Sequence, residues 1–158
     1  MKLKINETFP NVDLYMFDSG PKKVSASDLF ANKNCLLVAV PGAFTPTCSE
    51  NHLPGYIKSK DKIFKKNIDK IFFVSVNDPF VMNEWGKKYN ETDIVFLSDP
   101  FAELAKIIDF KMDLTQIGLG VRLSRFAMLI RNNIVEKIFD DNGGELEKSK
   151  ADEVLKIL

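Results

Sequence analysis

One stretch of this 158-residue chain concentrates the residue types that do chemistry: Pro41-Gly-Ala-Phe44-Thr45-Pro46-Thr47-Cys48-Ser49-Glu50-Asn51-His52. It follows the apolar run Cys35–Val40 and reads as strand, tight loop, helix N-terminus, with Cys48 in the first helical turn. A helix start carries partial positive charge and unpaired backbone N–H groups. Both favour a thiolate, the nucleophilic form of cysteine. Thr45 or Thr47 can cap that helix, Thr47-x-x-Glu50 fits a capping box, and Pro46 suits the first helical position. Pro41 and Pro46 stiffen the loop. Pro54-Gly55 then predicts a kink or an interruption, with a second helical stretch over 56–66.

Other candidates are weighed against plainer readings. A lone cysteine is usually a small buried hydrophobe. That reading suits Cys35, which opens an apolar strand, and not Cys48 in its polar surroundings. About five strand residues at ~3.3 Å separate the two, roughly 16 Å, too far for a disulfide. His52 could share a helix face with Cys48 as its base. Packing and a hydrogen bond are the favoured role, because Pro54-Gly55 leaves the helical register open. Arg125 stands directly ahead of the apolar run Phe126–Ile130 and is placed to emerge at a strand end, where it could stabilise a distant thiolate. Arg122 is the weaker candidate. The lysines of 60–70 read as a solvated helix face, and Trp85 as core or an interface anchor.

These residues need elements to hold them. Strands are predicted over 12–17, 35–40, 71–76, 93–97, 124–131 and 134–139, the last two joined by an Asn132-Asn133 turn. Ser27-Asp28 could cap one helical turn. Asn77-Asp78-Pro79 starts a helix whose inner face carries Val81, Trp85 and Tyr89, and Ser98-Asp99-Pro100 starts another. Residues 111–121 read as loop and 145–158 as an amphipathic C-terminal helix. Strands alternating with helices, then a hairpin and a helix, describe an α/β fold with a central mixed β-sheet flanked by helices, a single domain over 1–158. Sites in such sheets lie beyond the carboxyl ends of strands, which is where Pro41–Cys48 falls.

Composition removes several function classes. Lys+Arg and Asp+Glu are both 22, so the net charge is zero, which argues against nucleic acid or an anionic membrane as partner. No apolar run approaches the ~20 residues of a membrane span. One histidine rules out a multi-His metal site, and Cys-x-x-Cys, Walker and His-Glu-x-x-His motifs are absent. Two cysteines and no signal-peptide pattern lead to the expectation of a reducing, cytoplasmic setting. An organellar setting would follow if a targeting segment had been removed.

The nine residues Pro41-Gly-Ala-Phe-Thr45-Pro-Thr-Cys48-Ser resemble the active-site signature of peroxiredoxins, Pro-x-x-x-Thr-x-x-Cys. With His52-Leu-Pro-Gly-Tyr56 behind them, they look like the type II (peroxiredoxin-5-like) branch. Val76-Asn-Asp78-Pro-Phe-Val-Met82, Trp85-Gly86, Leu97-Ser-Asp99-Pro, Gly118-Leu-Gly120-Val-Arg122 and Arg125-Phe-Ala-Met128 extend the likeness along the chain. The resemblance implies a thioredoxin-like fold and reduction of hydrogen peroxide and organic hydroperoxides through a sulfenic acid. It implies Cys48 as nucleophile, Thr45 holding thiolate and peroxide, Pro41 shielding the sulfur, Arg125 as the strand-borne arginine, and no prosthetic group or metal.

The chain departs from the family's resolving-cysteine patterns: Ser149 stands near the C-terminal position and Ile71-Phe-Phe-Val at the internal one. A one-Cys cycle is therefore expected, reset by an external thiol, glutathione with glutaredoxin first and thioredoxin second. Homodimers through site loops are expected, with Phe44, Phe80 and the Gly118–Gly120 loop as contacts. The rival readings are a non-catalytic redox sensor or interaction module of the same fold, and a disulfide oxidoreductase, which the missing Cys-x-x-Cys disfavours.

Overall fold

A computed structural model describes residues 1–158. Its centre is β3 (Asn34–Ala39), parallel to β4 (Lys70–Ser75), which is parallel to β5 (Val95–Ser98). β8 (Phe126–Arg131) pairs antiparallel with the other edge of β3, and β9 (Ile134–Asp140) with β8. β1 (Asp13–Phe17) and β2 (Pro21–Ser25) form a hairpin beside β5. The seven-stranded order is β2-β1-β5-β4-β3-β8-β9.

From Cys35 onward β3 is apolar because both faces are covered. Leu36 and Val38 enter one core with Tyr56, Phe73, Trp85 and Val154, while Cys35, Leu37 and Ala39 enter the other with Phe30, Phe72, Leu104 and Ile108. Accordingly α2 (Leu53–Phe64), α3 (Pro79–Lys88) and α5 (Ala151–Leu155) cover one face, and α1 (Ala26–Phe30) and α4 (Glu103–Ile108) the other. Asp78 caps α3 as its sequence predicts, accepting the Val81 N–H at 2.9 Å. Asn132 and Asn133 both take positive φ, 46° and 67°, as the β8–β9 turn requires.

Several expectations need correction. Pro54-Gly55 does not break the site helix. Residues 46–47 are already helical, Cys48–His52 form a widened π-helical turn, and α2 follows without a gap. Proline lacks an N–H and crowds the carbonyl four residues before it. The widened turn just ahead, closed by Leu53 N–H to the Cys48 carbonyl, relieves both demands. The Thr47–Glu50 capping box is not formed, since Thr47 is itself helical and makes no capping bond. Residues 111–121, read as loop, hold β6 (Lys111–Leu114), a short 3₁₀ turn over Thr115–Ile117 and the start of β7 (Gly120–Leu123), which pairs with β6 in a separate two-stranded ribbon. The C-terminal helix is confined to Ala151–Leu155. Ahead of it, the Asp141 carboxylate collects the N–H groups of Glu147, Lys148 and Ser149, which holds that segment out of a helix.

Candidate active site

Beyond the carboxyl end of β3, residues 41–47 carry the chain into the helix that bears Cys48. The Ser49 N–H donates to the Thr45 carbonyl at 2.9 Å, so Cys48 lies within the first turn. Its side chain is turned inward and 1% exposed. Ser49 is gripped from α3: Trp85 Nε1 donates to its hydroxyl at 2.9 Å, and the Tyr89 hydroxyl donates to its carbonyl. The i, i+4 pair that the sequence assigns to the core therefore also sets the position of the cysteine-bearing turn.

The first residues of the loop are pinned from two sides. Arg122 Nη1 donates to the Pro41 carbonyl at 3.1 Å and its Nε to the Leu119 carbonyl at 2.8 Å. Asn77 Oδ1 accepts the Ala43 N–H at 2.8 Å and the Ser75 hydroxyl at 2.6 Å. Gly42 fits between them: a Cβ there would lie 3.0 Å from Thr45 Cγ2 and 3.2 Å from Arg122 Nη1. The Thr45 hydroxyl donates to the Gly42 carbonyl at 2.7 Å, leaving its oxygen lone pairs available.

Arg125 reaches the sulfur from the sheet. It immediately precedes β8, and its backbone is tied to the turn after β9 by N–H to the Gly143 carbonyl, 2.7 Å, and by its own carbonyl to the Asp141 N–H, 3.2 Å. Its guanidinium, 2% exposed, donates from Nη2 to Cys48 Sγ at 3.0 Å and from Nε to the Gly144 carbonyl at 2.9 Å. A cation at hydrogen-bond distance stabilises an anionic sulfur. Cys48 and Arg125 are 77 residues apart in sequence.

His52 is not aimed at the thiol. Its Nδ1 lies 2.7 Å from Arg125 Nη1, and its Nε2 lies 3.2 Å from the Ser149 carbonyl. Arginine has only donors, so Nδ1 is the acceptor and the proton sits on Nε2. Burial, helped by the Arg125 charge, pushes its pKa down to about 3. His52, Asn77, Ser149 and Arg122 thus belong to the site's framework; for His52 this is the packing and hydrogen-bonding role favoured from the sequence, Arg122 is there only the weaker candidate for the thiolate's arginine, and Asn77 and Ser149 are assigned no such role. The rejected alternative, a base role inferred from its i+4 spacing to Cys48, is the one that points to the wrong partner.

Cys35 belongs to the opposite core, and burial pushes its thiol up to about 11. Both cysteines are free thiols. No cluster of three metal-ligating side chains is present, and no helix is long and apolar enough to cross a membrane.

Residues 4–155 match the Redoxin family. Peroxiredoxin-2C of Oryza sativa subsp. japonica is 43% identical over 157 residues, covering 98% of this chain and 97% of that protein. The crystal structure of reduced Prx3 in complex with H2O2 from Vibrio vulnificus superposes with a TM-score of 0.94 at 40% identity, covering 98% of both chains. The Plasmodium falciparum antioxidant protein, described as a 1-Cys peroxiredoxin, superposes with a TM-score of 0.92 at 28% identity, covering 98% of both. The thioredoxin-like fold of these proteins is shared from end to end. Likeness in sequence and in fold over the same full length points to one family, and the chain belongs to it as a peroxiredoxin, a thiol-dependent peroxidase.

Proposed function

We propose that Cys48 is the peroxidatic nucleophile of a one-Cys peroxiredoxin that reduces hydrogen peroxide and organic hydroperoxides. The observation that carries this is the 3.0 Å contact between its buried sulfur and the Arg125 guanidinium. The thiolate attacks one peroxide oxygen and the O–O bond breaks. The other oxygen takes a proton and leaves as water or alcohol, and Cys48 remains as sulfenic acid. Arg125, Thr45 and helix-start N–H groups stabilise charge on the peroxide oxygens. Pro41, its carbonyl held by Arg122, shields the sulfur. No prosthetic group enters the cycle.

An external thiol then condenses with the sulfenic acid and releases water, and a second thiol cleaves the mixed disulfide. Cys35 is unsuited as resolving thiol because it lies across the sheet from Cys48. The Plasmodium relative's description as a 1-Cys peroxiredoxin agrees with this cycle. Glutathione with glutaredoxin is our first choice of reductant, because a small thiol reaches a 1% exposed sulfur more readily than a protein dithiol does. Thioredoxin is second. Two free thiols suit a reducing compartment such as the cytoplasm. We also read the chain as one domain, in keeping with the family match over 4–155, and as a homodimer through its site loops.

The test is steady-state hydroperoxide consumption with glutathione/glutaredoxin and with thioredoxin in parallel. Repeated turnover is expected, abolished in Cys48→Ser and retained in Cys35→Ser. A single oxidation event per chain would instead mark a sensor. Loss of activity in Cys35→Ser would overturn the one-Cys cycle.

A further inference from the structure

We propose that His52 is a positioning residue that holds the Arg125 guanidinium against Cys48 as an uncharged acceptor, so that the arginine's charge stays directed at the sulfur and the bound peroxide. The inference rests on Cys48 being the peroxidatic thiol. The Arg125 guanidinium donates to three acceptors: the Gly144 carbonyl, His52 Nδ1 and Cys48 Sγ. None is a carboxylate, and Arg125 takes part in none of the molecule's ion pairs. A buried cation without a carboxylate is unusual, because burial penalises unpaired charge. Here the sulfur is the one contacting group that can become an anion. A carboxylate in place of His52 would fix the guanidinium equally well and neutralise it.

The ring is locked to serve this purpose. Its Nε2 is shared between the Ser149 carbonyl at 3.2 Å and the Ser149 hydroxyl oxygen at 3.3 Å. The same carbonyl accepts the Tyr56 hydroxyl at 2.5 Å, and the Ser149 hydroxyl donates to the Asp141 carboxylate. Tyr56 and Phe73 pack on the imidazole with ring centroids 5.6 and 5.7 Å away. The ionisable groups around His52 are therefore Arg125 from the strand end, Tyr56 from α2, Cys48 through Arg125, and Asp141 through Ser149. Protonating Nδ1 would set a donor against a donor and a cation against a cation.

The isosteric pair His52→Asn and His52→Asp separates positioning by a neutral acceptor from mere space-filling. Both lose the ring and its bond to Ser149, and they differ in charge. The readout is the second-order rate constant for Cys48 oxidation by hydrogen peroxide, followed against pH. We expect His52→Asp to be at least about tenfold slower than His52→Asn at neutral pH, with its rate–pH profile displaced to higher pH. Equal rates and profiles in the two variants overturn the inference. Should the buried aspartate prevent folding, a cycle with Arg125→Lys decides. His52→Phe then slows the wild type and adds nothing in the Arg125→Lys background, whereas additive losses overturn the proposal. Hydrogen peroxide consumption with the thiol reductant that persists at the wild-type rate in Cys48→Ser would instead refute the underlying assignment, whatever position 52 does.

Discussion

Arg125 and His52 are a buried cation and a buried base in direct contact, at 2.7 Å. The pair keeps the imidazole neutral, and that has a consequence for stability. The ordinary histidine pKa is 6.5, and in the folded protein burial and then Arg125 lower that of His52 to about 3. Between these values the unfolded chain binds a proton that the folded chain refuses. Stability from this residue is thus complete above pH 6.5 and is lost as pH falls toward 3. By pH 5 the loss amounts to about 2 kcal/mol. Urea unfolding at pH 7 and pH 5 should show a drop larger by about that amount in the wild type than in His52→Asn. An equal pH dependence in the two proteins would show that His52 does not carry the effect.

At the scale of elements, the site helix is held by its neighbours more than by its own caps. The π-helical turn at Cys48–His52 makes room for Pro54, and α3 supplies the Trp85 and Tyr89 bonds to Ser49. The seat of α3 on the sheet therefore matters to the thiol. Gly86 is a close point of that seat: a Cβ added there would lie 2.7 Å from Phe96 Cε2 and 2.9 Å from its Cδ2. Phe96 also packs edge-on against Trp85, with centroids 5.9 Å apart. Gly86→Ala should therefore cost about 1–3 kcal/mol of stability by overpacking. Chemical denaturation would measure it, and a midpoint unchanged from wild type would mean that the Phe96 ring yields freely.

For the whole molecule, the three parallel strands decide which end is active. The segments leaving the carboxyl ends of β3, β4 and β5 carry Phe44, Phe80 and Phe101, exposed by 47%, 58% and 68%. Large aromatics gathered at the end that bears Cys48 suit a protein interface. If this face joins two copies of the chain, Phe80→Glu should shift the mass in sedimentation equilibrium from dimer to monomer. A wild-type protein that sediments as a monomer throughout the micromolar range would remove the dimer.

The fold's main strands and the cysteine-bearing turn were legible in the sequence because their signals are local. Apolar runs marked β3, β4 and β8, Asn-Asn marked a hairpin, and Thr-Pro-Thr-Cys marked a helix start. The hairpin strand β2, with its two lysines on an exposed edge, and the ribbon β6–β7 carry no apolar run and went unread. Register-dependent features were also hidden. Pro54 reads as a helix breaker until a wider turn upstream accommodates it. From the sequence, Cys48 stood out at a helix start and Arg125 at a strand end, and the resemblance to the peroxiredoxin signature added Thr45 and Pro41 as candidates. Tertiary structure alone decided that Arg125 meets Cys48 across 77 positions, that His52 faces the arginine and not the sulfur, and that Ser149 anchors the ring. Those pairings depend on where β8, the site helix and the segment after β9 converge, and no local pattern of residues encodes a convergence in space.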